Sequence, residues 1–263
     1  MPDDASLTAA QHARSASADQ IKILVHDASE ATLLALLENP KFEEPNVIQL
    51  LERLDLSSKL LSAVADTGKW ASSERVRMRL ARHPSTPRRL ALALLRQLFL
   101  FDLVGVSLQP SAPADIRRAA EGIILTRIPH LPVGEKLTLA RRGPSRIAGA
   151  VLVEGHPQAI KLALGNGFLT ESQVLKVLAK PDVPERVVIA IAQHAKWSCQ
   201  YNVRLGLMRN AHTPAPVVLA MLPNLTVSDL KEIVKLEPLA PHLKTYIQRE
   251  LERRATGERD NLD

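Results

Sequence analysis

Trp70 and Trp197 are the only tryptophans in the chain, and the residues around them match across a fixed offset of 127 positions. Read outward without gaps, Lys69-Trp70 falls on Lys196-Trp197, Val76-Arg77 on Val203-Arg204, Leu80 on Leu207, Arg82 on Arg209 and Thr86-Pro87 on Thr213-Pro214. Backwards, Ala63 meets Ala190, Leu51 meets Leu178, Val47 meets Val174, Glu44 meets Glu171, Asn39 meets Asn166 and Arg14 meets Arg141. Segments 30–95 and 157–222 share 19 identities over 66 positions. Self-similarity at one long offset is the mark of repeat architecture, and it predicts two tandem homologous halves. It also sorts residues. Positions kept in both copies serve folding, and function is to be sought where the copies differ.

Within each copy, apolar residues recur at i, i+3/i+4 and i+7 in short segments, near 30–38, 45–53, 58–66, 73–82, 87–98 and 113–127 in the first. In the second they fall near 144–153, 157–165, 171–179, 185–194, 200–209, 215–222, 227–235 and 240–254. No segment alternates with period two, so no sheet is expected. Thr86-Pro87 and Thr213-Pro214 read as a hydroxyl N-cap followed by proline at the first helical position. Pro45 and Pro184 sit at first-turn positions, and Thr170-Glu171-Ser172-Gln173 reads as a capping box. Helices this short cannot stand alone in water, and bury their stripes on neighbouring helices. The expected organisation is a disordered end over 1–6, a first half over 7–128, a connecting segment over 129–136, a second half over 137–254 and a disordered tail over 255–263.

Composition supports an all-α chain. Apolar residues make up 46% and charged residues 24%, too apolar for a disordered chain, and aromatics are only 3%, too few for a β-sandwich. The single cysteine, Cys199, excludes an intramolecular disulfide and any cysteine-only metal cluster. The acidic start Met1-Pro2-Asp3-Asp4 does not suit a signal peptide, and the oiliest stretch, Leu90 to Val106, is broken by Arg96, Gln97 and Asp102. The expectation is a cytoplasmic protein with no membrane partner.

The stretch Val76-Arg77-x-x-Leu80-Ala81-x-His83-Pro84-x-Thr86-Pro87-x-x-Leu90-x-x-x-Leu94 resembles the leucine-rich repeat variant motif, VRxxLAxNPxTPxxxL. Val203-Arg204-x-x-Leu207-x-x-Asn210-x-x-Thr213-Pro214 is a looser match, and Asn39-Pro40-x-x-x-Glu44-Pro45 a worn third. The resemblance implies a HEAT-like right-handed α-solenoid of short helical repeats. The family's spacing of about 24 residues is not kept throughout. The cysteine cluster of the iron–sulfur module known beside such repeats is absent, and no activity is implied by the fold.

Chemistry is sparse. Trp70 and Trp197, kept in both copies, are expected in the core, and Arg77 and Arg204 are expected to tether turns. The eight histidines make no HxxxH or HExxH spacing, and no phosphate-binding glycine loop or nucleophile elbow occurs. No catalytic residue, metal ligand or cofactor is expected. The feature with most pull is basic charge, +6 overall. Arg75 to Phe101 holds seven arginines and no acid, and Arg186 to Ser228 is also free of Asp and Glu. The candidate binding set is Arg75, Arg79, Arg82, Arg88 and Arg89 with Arg141, Arg142 and Arg146, and the first three share a helix face. The leading expectation is a non-enzymatic scaffold that binds a protein partner through a grooved surface. The alternative is nucleic-acid binding through the arginines.

Overall fold

A computed structural model describes residues 4–27, 29–70, 72–235 and 241–259. Among them are nineteen α-helices, three 3-10 turns and no strand. The chain divides into two compact units between Thr126 and Arg127. The first contains α1 (Asp4–Ser15), α2 (Ala18–Leu24), α3 (Glu30–Leu37), α4 (Glu44–Leu50), α5 (Ser58–Asp66), α6 (Glu74–Arg82), α7 (Arg88–Gln97), α8 (Leu100–Leu108) and α9 (Ala114–Arg127). The second contains α10 (Val133–Arg142), α11 (Ser145–Val153), α12 (Pro157–Leu164), α13 (Glu171–Leu178), α14 (Glu185–Gln193), α15 (Ala195–Ser198), α16 (Tyr201–Arg209), α17 (Ala215–Met221), α18 (Val227–Val234) and α19 (Pro241–Arg259). No helix among the described residues is long and apolar enough to cross a membrane.

The 127-residue offset governs the helix boundaries too. Shifted by it, α3, α5 and α6 coincide end for end with α12, α14 and α16. In both units helices pack on the next but one in the chain. In the first, α1 lies on α3, α3 on α5, α4 on α6 and α6 on α8. In the second, α10 lies on α12, α12 on α14, α11 on α13 and α16 on α18, with α13 also packed on α16.

Buried amides tie these layers together. The last carbonyls of a helix have no partner within it, and burying them bare is costly. Buried Asn39 answers this at the end of α1, its Nδ2 donating to the carbonyls of Ala13 and Ala16 at 2.9 and 3.1 Å. Its Oδ1 accepts from the Lys41 amide at 2.8 Å. In the second unit Asn166 does the same at the end of α10, donating to Ala140 and Gly143 at 2.8 and 2.9 Å and accepting from Phe168 at 2.7 Å. All four positions obey the offset. His83 and Asn210 repeat the device one layer on. The His83 ring bonds the Arg53 carbonyl at 2.7 Å, and Asn210 Nδ2 donates to the Leu178 carbonyl at 2.6 Å.

Several local expectations need correction. Thr86 and Thr213 do not cap the helices that follow: their hydroxyls donate backwards to the carbonyls of Leu80 and Leu207 at 2.7 and 2.6 Å. Pro87 and Pro214 occupy the N-cap positions. The Thr-Pro pair therefore finishes one helix as it starts the next. Thr170 is the N-cap of α13 but makes no capping bond, because its hydroxyl is engaged by Ser145 and Ser172. Pro184 lies at the N-cap of α14 rather than inside its first turn.

The expected disordered ends are helical where they are described. Residues 4–6 open α1, and residues 1–3 lie outside the described residues. Residues 255–259 continue α19, anchored just before by Arg254, which donates to the carbonyls of Leu222 and Leu225 at 2.7 and 2.6 Å. Glu250, bonded to Arg253 and Arg254, has its carboxyl pulled down to about 2. Residues 260–263 lie outside the described residues. The expected link at 129–136 holds a 3-10 turn, Ile128–His130, and the start of α10 at Val133.

Candidate functional site

Both tryptophans are in the core, at 4% exposure for Trp70 and 1% for Trp197. Trp197 donates from Nε1 to the Leu164 carbonyl at 2.9 Å, and Lys196 lies over its ring at 4.1 Å. Trp70 instead meets Phe42 edge to face at 5.7 Å. Its Nε1 is buried without a hydrogen-bond partner among the described residues. Arg204 Nε ties the turn before α16 by donating to the Ser198 carbonyl at 2.7 Å. No group of three His, Cys, Asp or Glu side chains among the described residues is placed to hold a metal ion.

The candidate arginines fall in both units and do not share one environment. In the first, Arg79 is three-quarters buried and ion-paired to Glu52 at 3.0 Å, with a side-chain exposure of 21%. Arg82 is half-buried beside it. Burial and the neighbouring Arg79 charge hold its guanidinium below the usual range, and Glu52 partly offsets them. Arg88 is exposed and ion-paired to Asp115 at 2.6 Å. Arg75 and Arg89 are exposed on α6 and α7. A run free of acids in sequence has thus acquired acids in space, from the end of α4 and the start of α9. In the second unit Arg141, Arg142 and Arg146 are exposed. Arg141 occupies the place of Arg14, whose partner Glu38 lies at 2.6 Å. Glu38 is replaced in the second copy by Gly165, so that particular pairing has no counterpart.

Each unit builds a slot at offset-equivalent positions, and the two slots differ in size. In the first unit it lies between the end of α4 and α6, with a volume of about 130 Å³, and the Arg79–Glu52 pair lines it with Leu51, Arg82 and His83. In the second unit it lies between α13 and α16 and opens to about 580 Å³. The reason is local. The position of Arg79 is taken by Gly206 and that of Glu52 by Ala179, so both arms of the ion pair are missing. What remains is walled by Leu175, Leu178 and Leu205, with Lys180, Arg209 and His212 among the polar groups lining it. Sequence reasoning named Arg79 among the candidate binding residues. It missed Gly206 and Ala179, although the same alignment displays both substitutions.

A second exchange lies at the start of α6 and α16. Glu74 in the first copy is Tyr201 in the second, and their partners Asp102 and Asp229 are equivalent. Tyr201 and Thr226 hydroxyls both donate to Asp229, and Thr226 above all holds that carboxyl below the usual range. Asp102 instead faces a second carboxyl. Burial first, then its hydrogen bond to Glu74 and that neighbour's charge, raise it above the usual range. The sign follows: the folded first unit binds the shared proton more tightly than the unfolded chain does. This contribution is complete below the unfolded value near 3.8 and is lost as pH rises through the raised value. Asp102→Asn cannot titrate. Its thermal midpoint relative to wild type is expected to shift in the mutant's favour as pH rises from below 4 to 7. A mutant–wild type gap that does not change with pH would refute the shared proton.

Comparison with family models, curated proteins and solved structures finds no match to this chain.

Proposed function

We propose that this protein is a non-enzymatic scaffold, an α-solenoid of HEAT-like repeats in two tandem homologous copies, which holds a protein partner through the open face of its second copy. The observation that carries this reading is the slot between α13 and α16, about 580 Å³ where its counterpart is about 130 Å³. The two copies keep the Asn39/Asn166 amide bracket, the Thr-Pro ties and the bounds of three helices. They part company at a solvent-facing groove, which is where binding rather than folding governs sequence. Packing of many helices on the next but one in the chain supports the solenoid, and stacked repeats offer extended binding surfaces.

The arginine set lends less support to the nucleic-acid alternative. Arg79 and Arg88 are already neutralised by Glu52 and Asp115, so fewer free guanidiniums remain for phosphates. Crosslinking under native conditions tests the scaffold reading. A photo-reactive side chain at position 202, beside the open slot, should capture a discrete protein, whereas one at the equivalent position 75 should not. Equal capture at both positions, or none at 202, would count against it.

A further inference from the structure

We infer that the slot between α13 and α16 takes a short acidic peptide segment bearing apolar anchor side chains, presented by the partner. This rests on the scaffold reading and adds the chemistry of the occupant.

Three features of the slot point the same way. Its walls are aliphatic, from Leu175, Leu178 and Leu205, and its volume of about 580 Å³ lies within the range of ligand pockets. Its floor depends on a glycine. A Cβ at Gly206 would stand 3.0 Å from Leu175 Cδ2 and 3.2 Å from Leu178 Cδ1, so side-chain atoms at this position fill the space an anchor needs. Helix interiors disfavour glycine by about 1 kcal/mol relative to alanine, a cost that α16 accepts and α6 does not.

The third feature is charge. Lys180 and Arg209 line the slot, and no acid does. From Arg186 to Ser228 the chain carries no Asp or Glu at all. The counterpart of Lys180 is Arg53, which is consumed by the carbonyls of Val25 and Asp27 at 2.8 and 2.7 Å and by Asp55 at 2.8 Å. Lys180 makes no such bond among the described residues and stands exposed. An apolar floor with a cationic border is complemented by apolar side chains flanked by carboxylates.

A peptide suits the shape better than an acyl chain. The slot is open to solvent along α16 from Asn202 to Arg209, roughly 10 Å at the helical rise, and on to His212 in the turn beyond. A hydrocarbon tail laid in it would keep one side wet, whereas an amphipathic segment has a polar side to present there.

The probe is a fluorescein-labelled peptide of about three to four helical turns, with Leu on one face and Glu on the other. A version with Lys in place of Glu serves as control, and oleate as competitor. Anisotropy should show saturable binding of the acidic peptide by the wild-type chain, weakened by added salt, and at least about tenfold weaker binding of the Lys version. Ala179→Glu with Gly206→Arg, which rebuilds the ion pair of the first unit, should weaken the acidic peptide by at least about tenfold. Lys180→Glu with Arg209→Glu should do likewise through exposed positions that leave the helix core untouched. Melting curves verify that both double variants are folded.

Equal binding of the two peptides, or full binding by both folded double variants, overturns the inference. So does displacement of the acidic peptide by oleate at lower concentration than unlabelled peptide requires, which reassigns the slot to a lipid. If no peptide binds but a photo-reactive group at position 202 still captures a protein, the occupant's chemistry is wrong and the scaffold stands. If neither occurs, both readings fall.

Discussion

Trp197→Ala is expected to destabilise the second unit by about 3–5 kcal/mol, the cost typical of removing a fully buried indole. Trp197 is 1% exposed, and its loss both empties a core site and strands the Leu164 carbonyl. Trp70→Ala also empties a core site, but it relieves a buried N–H with no partner among the described residues. The sharper comparison is with phenylalanine. Trp197→Phe should cost about 1–3 kcal/mol more than Trp70→Phe, because only the former leaves a buried carbonyl without its donor. Each unit holds one tryptophan, so the fluorescence of the remaining indole reports the untouched unit while circular dichroism follows both. Equal costs for the two phenylalanine variants in urea would show that the Leu164 bond contributes nothing.

Asn166→Asp is nearly isosteric and should nevertheless be among the most damaging single changes in the chain. The replaced amide nitrogen lies 2.8 and 2.9 Å from two carbonyl oxygens, and a carboxylate there would face both without a proton to donate. Buried unpaired charge is avoided by protonation, so the pKa of the new carboxyl should rise and the variant should recover as pH falls. The expected pattern is a loss on the order of 3 kcal/mol at neutral pH, shrinking toward pH 4. Asn39→Asp should behave alike in the first unit. Unfolding midpoints across pH measure both, and a loss independent of pH would exclude the buried carboxylate as its cause.

Legibility in the sequence followed the range of the interactions. Where a helix buries one stripe with 3.6-residue spacing, as in α5, α6 and α16, the pattern reveals it. The helices α1, α2, α8 and α10 were not resolved by the apolar spacing: in α8, Leu103, Val104, Val106 and Ser107 are all buried, so the helix lacks a clean polar face. Thr86 shows another limit. Its residue type advertises an N-cap, and only the fold decides that its hydroxyl turns back to Leu80. The acid-free run Arg75–Phe101 misled for a related reason, since Glu52 and Asp115 are remote in sequence and adjacent in space. The slot was half legible. Alignment of the copies displays Ala179 and Gly206, but their importance depends on both facing one groove, which no periodicity discloses.

The amide bracket at Asn166 has a chemical consequence for the life of the molecule. Asn166 is followed by Gly167, the pairing in which the next backbone nitrogen is least hindered from attacking the side-chain carbonyl carbon, which closes a succinimide as the amide nitrogen leaves as ammonia. Folded, that side chain is held at both ends by backbone partners. Unfolded, it is released, and hydrolysis of the ring leaves a carboxylate at a position where the fold rejects it. The first copy is spared, because Asn39 precedes Pro40, whose nitrogen carries no hydrogen. Time spent unfolded therefore ages the two copies unequally, and the half that carries the open groove is the half that wears out.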